Sequence, residues 1–429
     1  MRRREAGPSH IMALALTDWL DRLQSQHPVE IDLGLERVAQ VAGRLDLLRP
    51  EAKTFTVAGT NGKGSVVEVL SSLLAASGLT VGAYTSPHLL RFNERIRISG
   101  NEAGDRDIVR AFEAIEDARR SISLTYFEVA TLAAMWLFQE HGVDAQVLEV
   151  GLGGRLDAVN IVDADVAVVT SIGLDHTDWL GDDRGQIAIE KAGIARPARP
   201  CVVADLDPPD TLARRLAELG AQSSLLGRDW SVTDSHFQGF SGKQLQFPNC
   251  SGLLPQNIGA AMEALERSGL VDLNQDLIAS LEPLRVTGRL SRHQHSGIDV
   301  IMDVAHNTES VQTLVDFLCK TPTAGATKAM FGVMGDKPIH DMISACAGVF
   351  DEWHLIDLSH TDRAMTTGQV TAALGGQQVM ARGKFESLWR AIESQSSAGD
   401  RVVIFGSFFS VGEALALFDA EGAAGGGRH

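Results

Sequence analysis

Between Phe55 and Ser65 the chain reads FTVAGTNGKGS, three glycines around Lys63 followed at once by an apolar-periodic stretch from Val66 to Ala76. Glycines let backbone N–H groups close around an anion, and the start of a helix turns its positive end toward it. A lysine and a hydroxyl can add a cation and a Mg²⁺ ligand. The run therefore reads as a phosphate-binding loop, with ATP-driven chemistry as the premise. The spacing is not the strict G-x-x-x-x-G-K-[ST]: Val57 stands where the first glycine belongs, and Gly64 separates Lys63 from Ser65. A Gly-rich tight turn is the plainer reading, but turns seldom place Lys and Ser just where a helix starts.

A loop of this kind needs a strand before it and a helix after it, and the chain supplies that alternation throughout. β-rich runs at 54–57, 81–84, 146–150, 166–170 and 200–204 are separated by helical patterns such as 65–77 and 126–141. The fold class is α/β, with a mainly parallel sheet covered on both faces. Residues 227–254 lose the helical pattern and read as a small β appendage, followed by a helix at 257–268. A second series, 300–303, 329–333, 354–357 and 401–405, predicts a second α/β domain, with a hinge around 288–297 and a ligand cleft between the two.

Open parallel sheets carry their ligands at the carboxyl ends of strands. Ser86, Glu149, Asp175 and His176 all follow predicted strands, Glu149 just before a flexible-looking GLGG. One Mg²⁺ could be held by Ser86 and Glu149 with phosphate oxygens, a second by His176 and Glu149. Singly, each has a plain alternative: Ser86 before Pro87 as a turn residue, Glu149 as an acceptor for loop N–H groups, His176 as a helix cap. Their common position on the side of the loop favours the metal reading.

The 429 residues are 44% hydrophobic and carry a net charge of −17, with a pI near 5.2 and a mean hydropathy near zero. Such a chain is globular, large enough for two or three domains, and repels polyanions, so no nucleic-acid partner is expected. The apolar stretch 129–138 is too short to span a bilayer, and no membrane partner is expected. Cys201, Cys250, Cys319 and Cys346 are widely spaced and form neither a zinc motif nor a disulfide framework. They read as reduced thiols in a cytoplasmic protein. Residues 1–11 read as a loose extension ahead of a second possible start at Met12, without a signal-peptide cleavage site, and GAAGGGRH at the end reads as disordered.

The motifs GTNGKGS, TSPHL, LTYFE, EVGLGGRLDA, SIGLDHTDWLG, EKAGI, TGRL and DVAHN, in this order, closely resemble the bacterial folylpolyglutamate synthase/dihydrofolate synthase family of Mur-type ligases. The likeness runs from about Ile31 to Ser407, and SPHLLRFNERIRI and EVGLGGRLDA set folate ligases apart from other Mur-type enzymes. The resemblance implies a phosphate-loop ATPase domain over residues 1–290 and a smaller Rossmann-like, glutamate-binding domain over 291–429. It implies ATP-dependent amide-bond formation through an acyl phosphate, with ATP and Mg²⁺ as cofactors, acting on 7,8-dihydropteroate, reduced folates and L-glutamate, in a monomer.

By the same resemblance Thr60, Asn61, Gly62, Lys63, Gly64 and Ser65 hold the phosphates, and Asn257, Arg289 and Asp303 contact ATP. Without it, Arg289 would be a surface arginine and Asn257 a helix N-cap. Lys191, otherwise a solvated helical lysine, matches a lysine carbamylated by CO₂ that serves as an anionic metal ligand beside Ser86, Glu149 and His176. The pterin side draws on Ile31, Asp32, Leu33, Leu124, Thr125, Tyr126, Phe127, Leu156, Asp157 and Ala158. Tyr126 and Phe127 are equally well explained as core at a helix start. His306 and Ser407 are candidates for the incoming glutamate. The VMGDKP loop and Thr308 depart from the family pattern and are expected to stand apart from the chemistry. A Mur-type ligase for another acceptor and a regulatory phosphate-loop NTPase are the alternatives. The retained IDLGLERV and LTYF segments favour an enzyme with both folate activities.

Overall fold

The computed structural model describes residues 14–27, 29, 31–250, 252–295 and 297–425; Met12 lies outside them. An eight-stranded sheet is built from β1 (Lys53–Ala58), β2 (Val81–Tyr84), β3 (Ile96–Ile98), β4 (Asn101–Glu102), β5 (Ala145–Glu149), β6 (Val166–Val169), β7 (Pro200–Val203) and β8 (Gln222–Leu225). Its order is β4-β3-β2-β5-β1-β6-β7-β8. β2, β5, β1, β6, β7 and β8 run parallel, and β3 and β4 close one edge antiparallel. Three short strands, β9 (Ser231–Val232), β10 (His236–Gln238) and β11 (Gln244–Gln246), form the appendage read from residues 227–254.

A six-stranded sheet follows: β12 (Ser291–His295), β13 (Ile298–Met302), β14 (Thr327–Phe331), β15 (Glu352–Ile356), β16 (Val379–Gly383) and β17 (Arg401–Phe405), in the order β12-β13-β17-β14-β15-β16. It is parallel apart from the β12–β13 hairpin. The segment expected to be a hinge is thus largely strand. Residues 291–295 pair one for one with 302–298, because β13 would otherwise be an open edge.

The helices are α1 (Leu16–Gln26), α2 (Glu36–Arg44), α3 (Lys63–Ala76), α4 (Asp105–Arg119), α5 (Tyr126–Glu140), α6 (Thr177–Leu180), α7 (Arg184–Ala192), α8 (Asp210–Glu218), α9 (Pro255–Ser268), α10 (Gln275–Ala279), α11 (Thr308–Lys320), α12 (Ile339–Ala345), α13 (Thr367–Ala373), α14 (Phe385–Gln395) and α15 (Phe408–Gly425). α15 continues through Gly425, so helix replaces the disorder expected there, and 426–429 fall outside the described residues.

The period-two alternation of the strands sorts their side chains onto two faces. Phe55, Val57, Val147 and Val168 point to the layer of α3 and α9, while Ala58, Leu148 and Val169 face the layer of α5 and α7. The second sheet divides likewise, Phe331, Trp353 and Phe405 on one side and Met330, Ile356 and Ile404 on the other. All four cysteines are free; Cys201, Cys250 and Cys346 are buried, and Cys319 on α11 is exposed. No helix among the described residues is long and apolar enough to cross a membrane.

Candidate active site

The loop after β1 meets the N-terminus of α3, which starts at Lys63 without a side-chain cap. The first-turn N–H groups of a helix have no intrahelical partner, so this end is shaped for an anion. The loop is braced from behind by the segment after β6. Thr60 N donates to Ser171 O (2.8 Å), Asn61 N to Ser171 Oγ (2.9 Å), and Thr170 Oγ1 to Asn61 O (2.6 Å). Gly62 adopts φ 87°, where L-residues are strained, and a Cβ there would lie 2.6 Å from Asn257 Oδ1. Asn257 lies in the first turn of α9, whose N-cap is Leu254, so its amide reaches the phosphate loop and does not cap the helix.

Lys63 Nζ donates back to Gly59 O (3.0 Å) and Thr60 O (3.2 Å). Burial lowers its pKa, opposed chiefly by the carboxylate of Glu149. Glu149, at the end of β5, accepts from Ser86 N (3.1 Å), and burial raises its carboxyl against the pull of Lys63. Lys191 on α7 is buried, and desolvation brings it down to about 7. α7 comes close because the glycines after β5 are needed for contact and not for flexibility. A Cβ on Gly154 would sit 2.9 Å from Glu190 O.

His176 is held in the left-handed region at the start of α6. Desolvation takes its imidazole to about 4, leaving it neutral at pH 7 and able to bind a metal. Its neighbour Asp175 receives groups from the second sheet: Lys337 Nζ (2.7 Å), His306 Nε2 (3.5 Å) and Asn307 Nδ2 (3.3 Å). Burial would raise this carboxyl, but His306, His176 and Lys337 together hold it well below the carboxylate range. Asn61 and Asn307 exchange amide hydrogen bonds across the two sheets, at 3.2 and 3.0 Å. The resulting cleft is lined by residues 59–63 with Ser86, Glu149, His176, Lys191, Arg289 and His306.

Residues 57–229 match the Mur ligase middle domain and residues 288–408 the Mur ligase glutamate ligase domain. The dihydrofolate synthase/folylpolyglutamate synthase of Escherichia coli is 42% identical over 96% of this chain and 98% of its own. That of Haemophilus influenzae is 35% identical over 94% and 98%. The chain belongs to the dihydrofolate synthase/folylpolyglutamate synthase family. Among solved structures, the Escherichia coli enzyme in complex with DHPP and ADP superposes with a TM-score of 0.91 at 41% identity, covering 95% of this chain and 99% of that one. A bifunctional family member with Mn, AMPPNP and L-glutamate bound gives 0.88 at 40%, covering 95% and 98%.

In this synthase the pterin-side candidates gather around the start of α5. Thr125 caps it with Glu128 in a reciprocal capping box, and Leu124 is fully buried. Tyr126 and Phe127 are partly buried, with Phe127 6.0 Å from the ring of Tyr84. The segment of Ile31, Asp32 and Leu33 is tied to this point by Arg37, which donates to Asp32 Oδ2 (2.5 Å) and Glu128 Oε1 (3.1 Å). Asp157 follows Leu156 and precedes Ala158. Its oxygens accept from Leu152 N (2.8 Å) and Val159 N (3.0 Å), and burial still pushes it up to about 6. Its carboxylate serves the loop.

Gly64 and Ser65 form the first turn of α3, and a Cβ on Gly64 would lie 3.6 Å from Glu149 Oε2. Two further candidates are engaged with their own loops. Both oxygens of Asp303 are taken by Leu290 N and Ala305 N, each at 2.7 Å, so it braces the turn that carries Arg289. Ser407 Oγ accepts from Ser410 N at the start of α15. The VMGDKP loop was expected to stand apart from the chemistry, yet its Lys337 is buried against Asp175. Lys337 follows β14 as Ser86 follows β2, so strand-end logic applied to the second sheet points to it. Arg37 and Asn307 carry no such local signal.

Proposed function

We propose that this synthase joins L-glutamate to 7,8-dihydropteroate and to the glutamate tail of reduced folates, using ATP. The acceptor carboxylate attacks the γ-phosphorus and releases ADP; the glutamate amine then attacks the acyl carbon, loses a proton and expels phosphate. One observation carries the reading: Lys63, Glu149, His176 and Lys191 from one sheet's layers and His306 from the other's converge on a single cleft. The first step brings two anions, carboxylate and triphosphate, together, so its barrier is largely charge repulsion, which Lys63 and Arg289 offset.

Ser86, Glu149, His176 and Lys191 form a donor set suited to a divalent cation that shares phosphate oxygens. Among the described residues no group of three His, Cys, Asp or Glu side chains is placed to hold a metal ion by itself, so the nucleotide would have to supply further ligands. Mg²⁺ there would neutralise the triphosphate. A lysine brought to about 7 presents a neutral amine to CO₂, which supports carbamylation of Lys191. Residues 60–65, Asn257 and Arg289 take ATP, with Asp303 acting through the Arg289 turn. Residues 31–33, 124–127 and 156–158 shape the acceptor pocket, and His306 and Ser407 the glutamate side. Residues 1–290 and 291–429 are the functional units of a cytoplasmic monomer.

The test is glutamate-dependent phosphate release from ATP, with dihydropteroate in one reaction and tetrahydrofolate in the other. Release in both is expected. Release with only one reduces the reading to a single activity, and release with neither, while ATP still binds, points to another acceptor.

A further inference from the structure

The motif SPHLLRFNERIRI holds a charged group with no role in the chemistry above. Arg95 ends a 3-10 turn, Phe92–Arg95, and is only 8% exposed. A guanidinium cannot shed its charge in a protein, so a buried one calls for an anion or several acceptors. Its Nε donates to His88 Nδ1 at 2.8 Å. Burial, with Arg95 adding to it, lowers His88 to about 4, so this imidazole stays neutral and accepts. The guanidinium carbon lies 5.5 Å from the Tyr126 ring centroid and 5.9 Å from that of Phe92. Among the described residues Arg95 forms no ion pair, its terminal nitrogens meet no acceptor, and neither is sealed off from solvent.

The position is as telling as the missing partner. One side of Arg95 rests on Tyr126, one of the residues proposed above for the acceptor side, and its charge acts on Glu149 beside the phosphate loop. An acceptor whose ring lies by Tyr126 and whose carboxylate must reach the phosphate loop passes this guanidinium. Next to Glu149 that carboxylate needs a compensating cation of its own: Lys63 is turned onto the carbonyls of its own loop, and Arg289 and the Mg²⁺ are assigned above to the nucleotide.

We propose that Arg95, oriented by His88 and by the rings of Phe92 and Tyr126, binds the carboxylate of the pterin acceptor and selects for acidic acceptors. This rests on the folate reading above. A guanidinium offers a fork of donors that matches a carboxylate, and the flanking rings keep its plane fixed. His88 is a positioning residue, acting through Arg95.

The experiment compares two ligands on the full-length protein saturated with ADP: dihydropteroate, and the same molecule with hydrogen in place of the carboxyl group. Calorimetric titration of the wild type should favour dihydropteroate by about ten- to hundredfold, the range of a charge-assisted contact. Arg95→Met should erase that preference, weakening dihydropteroate while leaving the decarboxylated analogue nearly unchanged. Arg95→Lys should keep part of it, and His88→Ala should reduce it without abolishing it. Equal weakening of both ligands in Arg95→Met would mean that the side chain only packs the pocket and would overturn the proposal, as would a preference that survives. ADP affinity reports whether each variant is folded, and if Arg95→Met is not, Arg95→Lys and His88→Ala carry the same comparison. Wild-type protein that binds neither ligand overturns the folate reading itself. Wild-type preference retained in the variants overturns this inference alone.

Discussion

Single side chains in the cleft work by being charged where water is scarce. Lys63 is partly buried, with Glu149 as its main counter-charge. Lys63→Met should lower kcat for glutamate-dependent phosphate release by about a hundred- to a thousandfold, the usual cost of losing one preorganised donor. A smaller loss than tenfold would move the phosphate-stabilising role elsewhere. Asp157 makes a separate prediction about stability. Its folded pKa, about 6, lies above the ordinary 3.8. Folding therefore binds a proton more tightly than unfolding, and this contribution is fully present below pH 3.8 and lost as pH rises through 6. Thermal melts of wild type and Asp157→Asn should show the wild type losing ground between pH 4 and pH 6.5, by about 2–3 kcal/mol in total. Parallel melting curves across that range would show that its environment is not the apolar one described.

At the level of elements, the site depends on how loops are tied to strand ends and helix starts. α2 carries Arg37, which spans 91 residues of sequence to Glu128 at the start of α5 while holding Asp32 on its other side. Arg37→Met should release the 31–33 segment and raise the acceptor KM about tenfold, near 1.4 kcal/mol, with the ATP KM unchanged. An unchanged acceptor KM would place that segment outside the pocket. Most of the architecture was legible beforehand because it is local. The phosphate loop, the strand ends carrying Ser86, Glu149 and His176, and the three-stranded appendage follow from period and turn chemistry within short windows. What local windows do not carry depends on distant partners: Arg37 on Glu128, Asn257, which only the resemblance singled out, on Gly62, and β12, whose polar SRHQH looks like a linker until β13 pairs with it.

Across the whole molecule, the two sheets meet at the phosphate loop through Asn61 and Asn307, 246 residues apart, and through Asp175 and Lys337. Lys337→Met removes the cation from a buried pair and leaves Asp175 to His306, Asn307 and the backbone N–H of His176. The two halves should then close less readily. We expect kcat to fall more than ATP affinity, and small-angle scattering with nucleotide to give a larger radius of gyration than wild type. Identical scattering with unaltered kcat would make the pair incidental. The cysteine distribution makes such motion visible without engineering. Burial raises the thiols of Cys201 and Cys346 to about 12 and that of Cys250 as well, whereas Cys319 is exposed on α11, the helix that begins just after Asn307. A maleimide dye at neutral pH would therefore label the native protein at one place, on the helix beside the Asn61–Asn307 contact, and a change in its fluorescence on adding nucleotide would report whether the two halves move relative to each other.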